Sequence, residues 1–132
     1  MKRILAPILF ALTFSVMFSS TSFAGWTEVS ENVDGDKYYV DFKTIRKHKE
    51  SVYFWLLKDN LEPSRTGDLS YEIYNQGDCN IFRYRHLQWL VYKKQMGEGG
   101  SETISPDNAK WEFPPPNSSI KAVLDSVCAH AK

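Results

Sequence analysis

Three histidines, two cysteines and a run of cations are the residues of this chain with chemistry to offer. His48, His86 and His130 are the only histidines, and no serine or cysteine stands in a nucleophile motif such as Gly-x-Ser-x-Gly. His48 lies in a basic turn and His130 near the C-terminus, so both read as exposed. His86 falls where a strand pattern changes phase, and a bulge there can re-aim a side chain, which makes it the one candidate general base. Cys79 and Cys128 form no Cys-x-x-Cys pair and show no zinc-ligand spacing with the histidines. No metal or other cofactor is called for. The segment Gly97-Glu98-Gly99-Gly100-Ser101 is glycine-rich, but no lysine follows in the phosphate-loop pattern and Glu98 would repel an anion, so it reads as a plain loop.

Two basic groups remain. Lys43, Arg46, Lys47 and Lys49, with His48 among them, are the densest cationic cluster and suit an anionic partner: a sulfated glycan, lipid phosphates or an acidic protein patch. The competing reading is a solvated turn that flanks a hydrophobic strand. Arg83 and Arg85 share one face of a long strand, and with Tyr84 they suggest a contact face, because Arg and Tyr are enriched at binding hot spots. The alternative is that they pair across strands with Glu72.

The elements that must position these residues follow from hydrophobic patterning. Trp26 to Glu31 alternates, Asp34-Gly35 is a turn dipeptide, and Lys37 to Phe42 resumes, which predicts a hairpin. Asp41 is placed to cap a short helical turn reaching Ile45. Ser51 to Lys58 is apolar on both faces and predicts a central strand. A loop with Pro63 and Gly67 precedes an alternating strand at Leu69 to Ile73, and Gln76-Gly77-Asp78 reads as the next turn. Cys79 to Gln95 is the longest β-like run. Phe82 and Tyr84 are in phase with each other and out of phase with Leu87, Trp89 and Val91, so a bulge or bend is expected near Arg85–Leu87. Gly97 to Lys110 reads as loop, Trp111 to Phe113 as a short edge strand, and Pro114-Pro115-Pro116 as extended chain. Ile120, Val123, Leu124, Val127 and Cys128 repeat at helical spacing, with Asn117 or Ser118 as the cap. Trp26, Trp55 and Trp89 read as core, and Trp111 as partly exposed. Strands first and one helix last give an α+β fold: an antiparallel sheet of about five or six strands with the C-terminal helix packed on it.

Residues 1–24 read as a cleaved export signal: Lys2 and Arg3, an apolar stretch from Ile4 to Phe18, then Ser22-Phe23-Ala24 before the cut. The 132-residue total has 16 basic and 16 acidic residues. Cleavage removes two bases and no acid, so the remaining single domain, residues 25–132, is slightly acidic. That balance argues against a nucleic-acid partner. No second long apolar stretch follows, so the mature chain has no membrane span by this reading. In an exported chain an even cysteine pair favours a disulfide, here Cys79–Cys128, worth about 4 kcal/mol by chain-entropy arithmetic. It would pin the helix to the start of the long strand.

Several of these residues occur in an order that resembles the bacterial surface-adhesin protein E-like family. They are Trp26, the Tyr38-Tyr39-Val40-Asp41 segment with Thr44-Ile45, and Val52 to Leu57 with Trp55. Ser70, Asp78-Cys79, Arg83, Tyr92, Met96-Gly97, Trp111 and Cys128 continue it. The likeness spans nearly all of Gly25 to Cys128. It implies a compact antiparallel sheet, a packed helix and one disulfide. It also implies an adhesin-like role, since the founding adhesin is surface-exposed and binds extracellular-matrix proteins such as vitronectin and laminin. That adhesin is lipid-anchored, whereas this chain has no cysteine at the cleavage point, so a periplasmic or secreted product is expected alongside surface display.

The expectation is therefore an exported, non-enzymatic binding module for an extracellular-matrix protein or an anionic glycan. Two other classes compete: a periplasmic enzyme or enzyme inhibitor using His86 or the Gly97–Lys110 loop, and an envelope structural protein that self-associates through a strand edge.

Overall fold

The computed structural model describes residues 25–132; the export segment read at residues 1–24 lies outside the described residues. Seven strands form one antiparallel sheet: β1 (Thr27–Glu31), β2 (Lys37–Val40), β3 (Arg46–His48), β4 (Ser51–Asp59), β5 (Ser70–Asp78), β6 (Arg83–Tyr92) and β7 (Ser101–Ile104). Their order is β1-β2-β4-β5-β6-β7, and β3 also pairs with β4. The helix α1 (Ser119–His130) closes the chain and covers one face.

Local chemistry explains most boundaries. Asn32 Oδ1 accepts from the N–H groups of Asp34 and Asp36, and Gly35 takes a positive φ of 86°, which closes the β1–β2 turn. Asp41 accepts from the Lys43 N–H and starts a 3₁₀ turn at Phe42–Thr44. Ser118 caps α1 through the Lys121 N–H. Strand β4 lies inside the sheet, as its two apolar faces require. Val40, Val52, Phe54, Leu56 and Ile73 pack against Val123, Leu124 and Val127 of the helix in one buried cluster.

Four readings need correction. Gln76-Gly77-Asp78 is strand, not turn, and β5 runs on to Asp78. Gly77 stands there because Leu124 and Val52 close over it, so the missing side chain serves helix-to-sheet approach and not a bend. The turn is Cys79–Phe82, where Asp78 Oδ1 accepts from the Asn80 and Ile81 N–H groups and Phe82 takes a φ of 62°. Two short strands lie where turn and loop were expected. Arg46–His48 pairs with Tyr53 to Ser51, and Ser101–Ile104 pairs with Tyr92 to Trp89. Both are fully exposed on their side chains, so no hydrophobic alternation marks them. Trp111–Phe113 makes only one bridge, Glu112 to Tyr84.

The phase change is where the pattern placed it. Tyr74 pairs with Gln88 and Asn75 with His86, which leaves Leu87 as the extra residue of a β-bulge. The extra residue lets both His86 and Trp89 face the helix side. The disulfide Cys79–Cys128 is present, with 5.6 Å between its Cα atoms, and ties the last turns of α1 to the β5–β6 turn.

Candidate functional site

Because α1 covers one face, the opposite face of β3–β6 is the broad surface left to the sheet. The pleat sends alternate side chains to it. Register assigns them: Arg46 lies beside Tyr53, Tyr53 beside Gln76, and Gln76 beside Arg85. This row crosses four strands. In the next row Trp55 sits beside Tyr74 and Gln88. The Tyr74 ring lies 4.9 Å from Trp55 and 6.2 Å from Tyr53, with tilts of 33° and 29°. Trp55, read as core, thus belongs to the helix-free face, where its apolar area stacks on a neighbouring ring and is half-buried. Trp89 does pack against the core, and Trp26 is half-buried.

Polar contacts fix the row. Gln76, almost fully buried, donates from Nε2 to Ser51 Oγ at 2.8 Å and accepts at Oε1 from Arg85 Nε at 2.8 Å. Arg83 Nε donates to Asp78 Oδ2 at 3.2 Å. Neither arginine pairs with Glu72. Both guanidiniums lie over the Trp111 ring, at 4.2 Å for Arg83 and 4.5 Å for Arg85. At the far end of the face the turn Gln95–Gly97 folds over Asp59, which accepts from the Met96 N–H at 2.7 Å. Burial raises the carboxyl pKa of both Asp59 and Glu72 there.

The structure separates Tyr84 from its neighbours Arg83 and Arg85. Tyr84 points to the helix side and is 7 % exposed. Burial first, and then the Glu112 carboxylate to which it is hydrogen-bonded, push its hydroxyl pKa up to about 12. It packs on the helix side, whereas the two arginines share the opposite face with Tyr53, Trp55, Tyr74 and Trp111. Alternation alone places Tyr84 opposite its two neighbours.

The basic cluster is split as well. Arg46 and His48 share the helix-free side with Tyr53 and Ser51, whereas Lys47 shares the other side with Val52. Lys43, in the preceding 3₁₀ turn, and Lys49, at a φ of 56° in the β3–β4 turn, are exposed. None of Lys43, Arg46, Lys47 and Lys49 forms a salt bridge among the described residues.

His86 stands between the Tyr84 and Trp89 rings and hydrogen-bonds Asn75, which is fully buried. Burial holds its pKa below the ordinary value, against the pull of Glu112. It borders a cleft of about 180 Å³ with Pro106, Asn108, Ala109, Lys110 and Glu112, a lining without serine, threonine or cysteine. A larger hollow of about 670 Å³ lies between the β1–β2 hairpin and the start of α1. Polar groups on its wall engage each other: Ser30 with Ser119 at 3.1 Å and Lys121 with Asp125 at 2.8 Å. Among the described residues no cluster of His, Cys, Asp and Glu is suited to a metal ion, and no helix is long and apolar enough to cross a membrane.

With the geometry in place, the chain can be set beside known proteins. Its fold is similar to that of Haemophilus influenzae protein E. In crystal form II of that protein the identity is 17 %, the TM-score is 0.62, and the match covers 83 % of this chain and 92 % of that one. A second structure, protein E from non-typeable Haemophilus influenzae, matches at 17 % identity with a TM-score of 0.56, over 83 % and 79 % of the two chains. These likenesses concern the fold. Among curated proteins no relative matches by sequence. Residues 26–129, from the first strand to the last turn of α1, match the family described as surface-adhesin protein E, and the chain belongs to that family.

Proposed function

We propose that this adhesin-family domain is an exported, non-enzymatic binding module that docks an extracellular-matrix protein or an anionic glycan through the basic edge at Lys43, Arg46, Lys47 and Lys49. The observation that carries this reading is a short edge strand with its flanking turns that presents four cations, all exposed and none paired with an acid among the described residues. A solvated turn needs no such excess, and unpaired like charges raise each other's energy until an anion arrives. Family membership supports the adhesin-like part of the reading.

The domain is expected to bind an immobilised matrix protein or acidic glycan saturably, with an affinity that falls as salt rises. A Lys47→Ala/Lys49→Ala double variant should bind several-fold more weakly at unchanged stability. Wild-type binding by that variant would remove the basic edge from the account.

A further inference from the structure

We propose that the helix-free sheet face is a recognition site for an acidic polysaccharide, with the Arg85 guanidinium as its fixed anion-binding fork and Arg46 as the second cationic contact. This rests on the binding-module reading above, and it moves the site from the basic edge to the sheet.

Arg85 differs from an ordinary surface arginine in three respects. Its Nε is held by Gln76 Oε1, and Gln76 is itself nearly buried and anchored to Ser51. Its guanidinium is stacked against Trp111. Yet no carboxylate pairs with it among the described residues, whereas Arg83, two residues away, has Asp78. The protein thus fixes the orientation of this cation without neutralising it. A guanidinium held through Nε and its flat face keeps the outer nitrogens for two parallel bonds to a sulfate or carboxylate. Pre-ordering removes rotamer entropy that a free side chain would lose on binding.

Chemistry along the row selects the ligand. Arg46, also without an acid partner, stands on the same face three strands away. Strand spacing puts the two backbones roughly 14–15 Å apart. Between them lie Tyr53 and Gln76, with Tyr74 alongside, so hydroxyl, amide and ring edges separate two cations. A single phosphate or one acidic side chain engages one end of such a row. An acidic polysaccharide supplies what the row lacks: anionic groups repeated along the chain, with hydroxyls between them for the tyrosines.

The test uses the full exported chain and calorimetric titration with heparin, hyaluronan, neutral dextran and poly-glutamate. Heparin or hyaluronan should bind, dextran should not, and poly-glutamate at matched charge should bind at least ten-fold more weakly. Their ratio tells whether sulfate or carboxylate is the preferred anion. Arg85→Gln should weaken the favoured glycan at least ten-fold, and Arg85→Lys should restore little of it because lysine has no fork. Arg46→Gln, a change on an exposed strand that leaves the core untouched, should weaken it several-fold and keeps the test valid should Arg85 variants misfold. Glycan binding unchanged in folded Arg85→Gln, or equal binding to poly-glutamate, would overturn the proposal. If binding survives Arg85→Gln but is lost in Lys47→Ala/Lys49→Ala, the sheet-face site falls and the basic-edge reading stands.

Discussion

The Arg83 guanidinium lies 4.2 Å from the centre of the Trp111 ring, which couples a strand of the sheet to a segment that shares only one bridge with it. Arg85 approaches the same ring. Cation–π contacts of this kind contribute about 0.5–1 kcal/mol each at exposed sites. Trp111→Ala should therefore lower stability by about 1–2 kcal/mol in thermal unfolding and speed amide exchange at Tyr84 and Glu112. An unchanged melting temperature would show that the stack is decorative.

The closure between Cys79 and Cys128 spans 49 residues. Chain entropy assigns it about 4 kcal/mol. Cys79→Ser/Cys128→Ser should lose about 2–4 kcal/mol in denaturant unfolding, with α1 the first element to lose circular-dichroism signal. Loss of less than 1 kcal/mol would mean that packing of Val123, Leu124 and Val127 alone secures the helix.

A methyl group at position 77 would lie 3.0 Å from Leu124 Cδ1 and 3.0 Å from Val52 Cγ2. Gly77→Ala is thus an overpacking change that costs about 1–3 kcal/mol. Chemical denaturation should show it, and Gly77→Ala/Leu124→Val should recover part of the loss if the clash is the cause.

Asp78 holds the β5–β6 turn through its carboxylate, which accepts from the Asn80 and Ile81 N–H groups and from Arg83. Burial alone would raise its carboxyl pKa, but the Ile81 N–H, Arg83 and the Asn80 N–H together hold it below the usual 3.8. A lowered folded-state value means that the stabilisation is complete above the unfolded value and is lost as pH falls through the folded one. Asp78→Asn should be less stable than wild type at neutral pH, and the gap should narrow as pH falls below 3.8 and the carboxylate takes up its proton. A gap that persists in acid would assign the effect to shape and not to charge.

Much of this was legible in the residues themselves. The Asp34-Gly35 turn, the Asp41 cap, the two-sided strand at Val52–Leu57 and the stripe from Ile120 to Cys128 are local signals, and the fold obeys them. The phase change before Leu87 reported a bulge because side-chain parity cannot shift otherwise. What stayed hidden depended on partners distant in sequence. Gly77 looks like a turn residue until Leu124 is placed above it. β3 and β7 carry no apolar alternation, since neither buries a side chain. The Arg46–Tyr53–Gln76–Arg85 row joins residues from two clusters that the sequence keeps far apart, and only register unites them.

The Cys79–Cys128 bond also decides how the domain carries load. Tension applied between residue 25 and residue 132 runs along the chain to Cys79, crosses the bond to Cys128 and leaves. β6, β7 and most of α1 hang outside that path as a closed loop. At ~3.3–3.6 Å per residue, roughly 160–175 Å of contour is withheld from extension. A domain pulled in a force spectrometer should lengthen by that much more once the bond is reduced. Under such tension the sheet can be strained from its first strands while the segment bearing Arg85 and Trp111 stays off the load path.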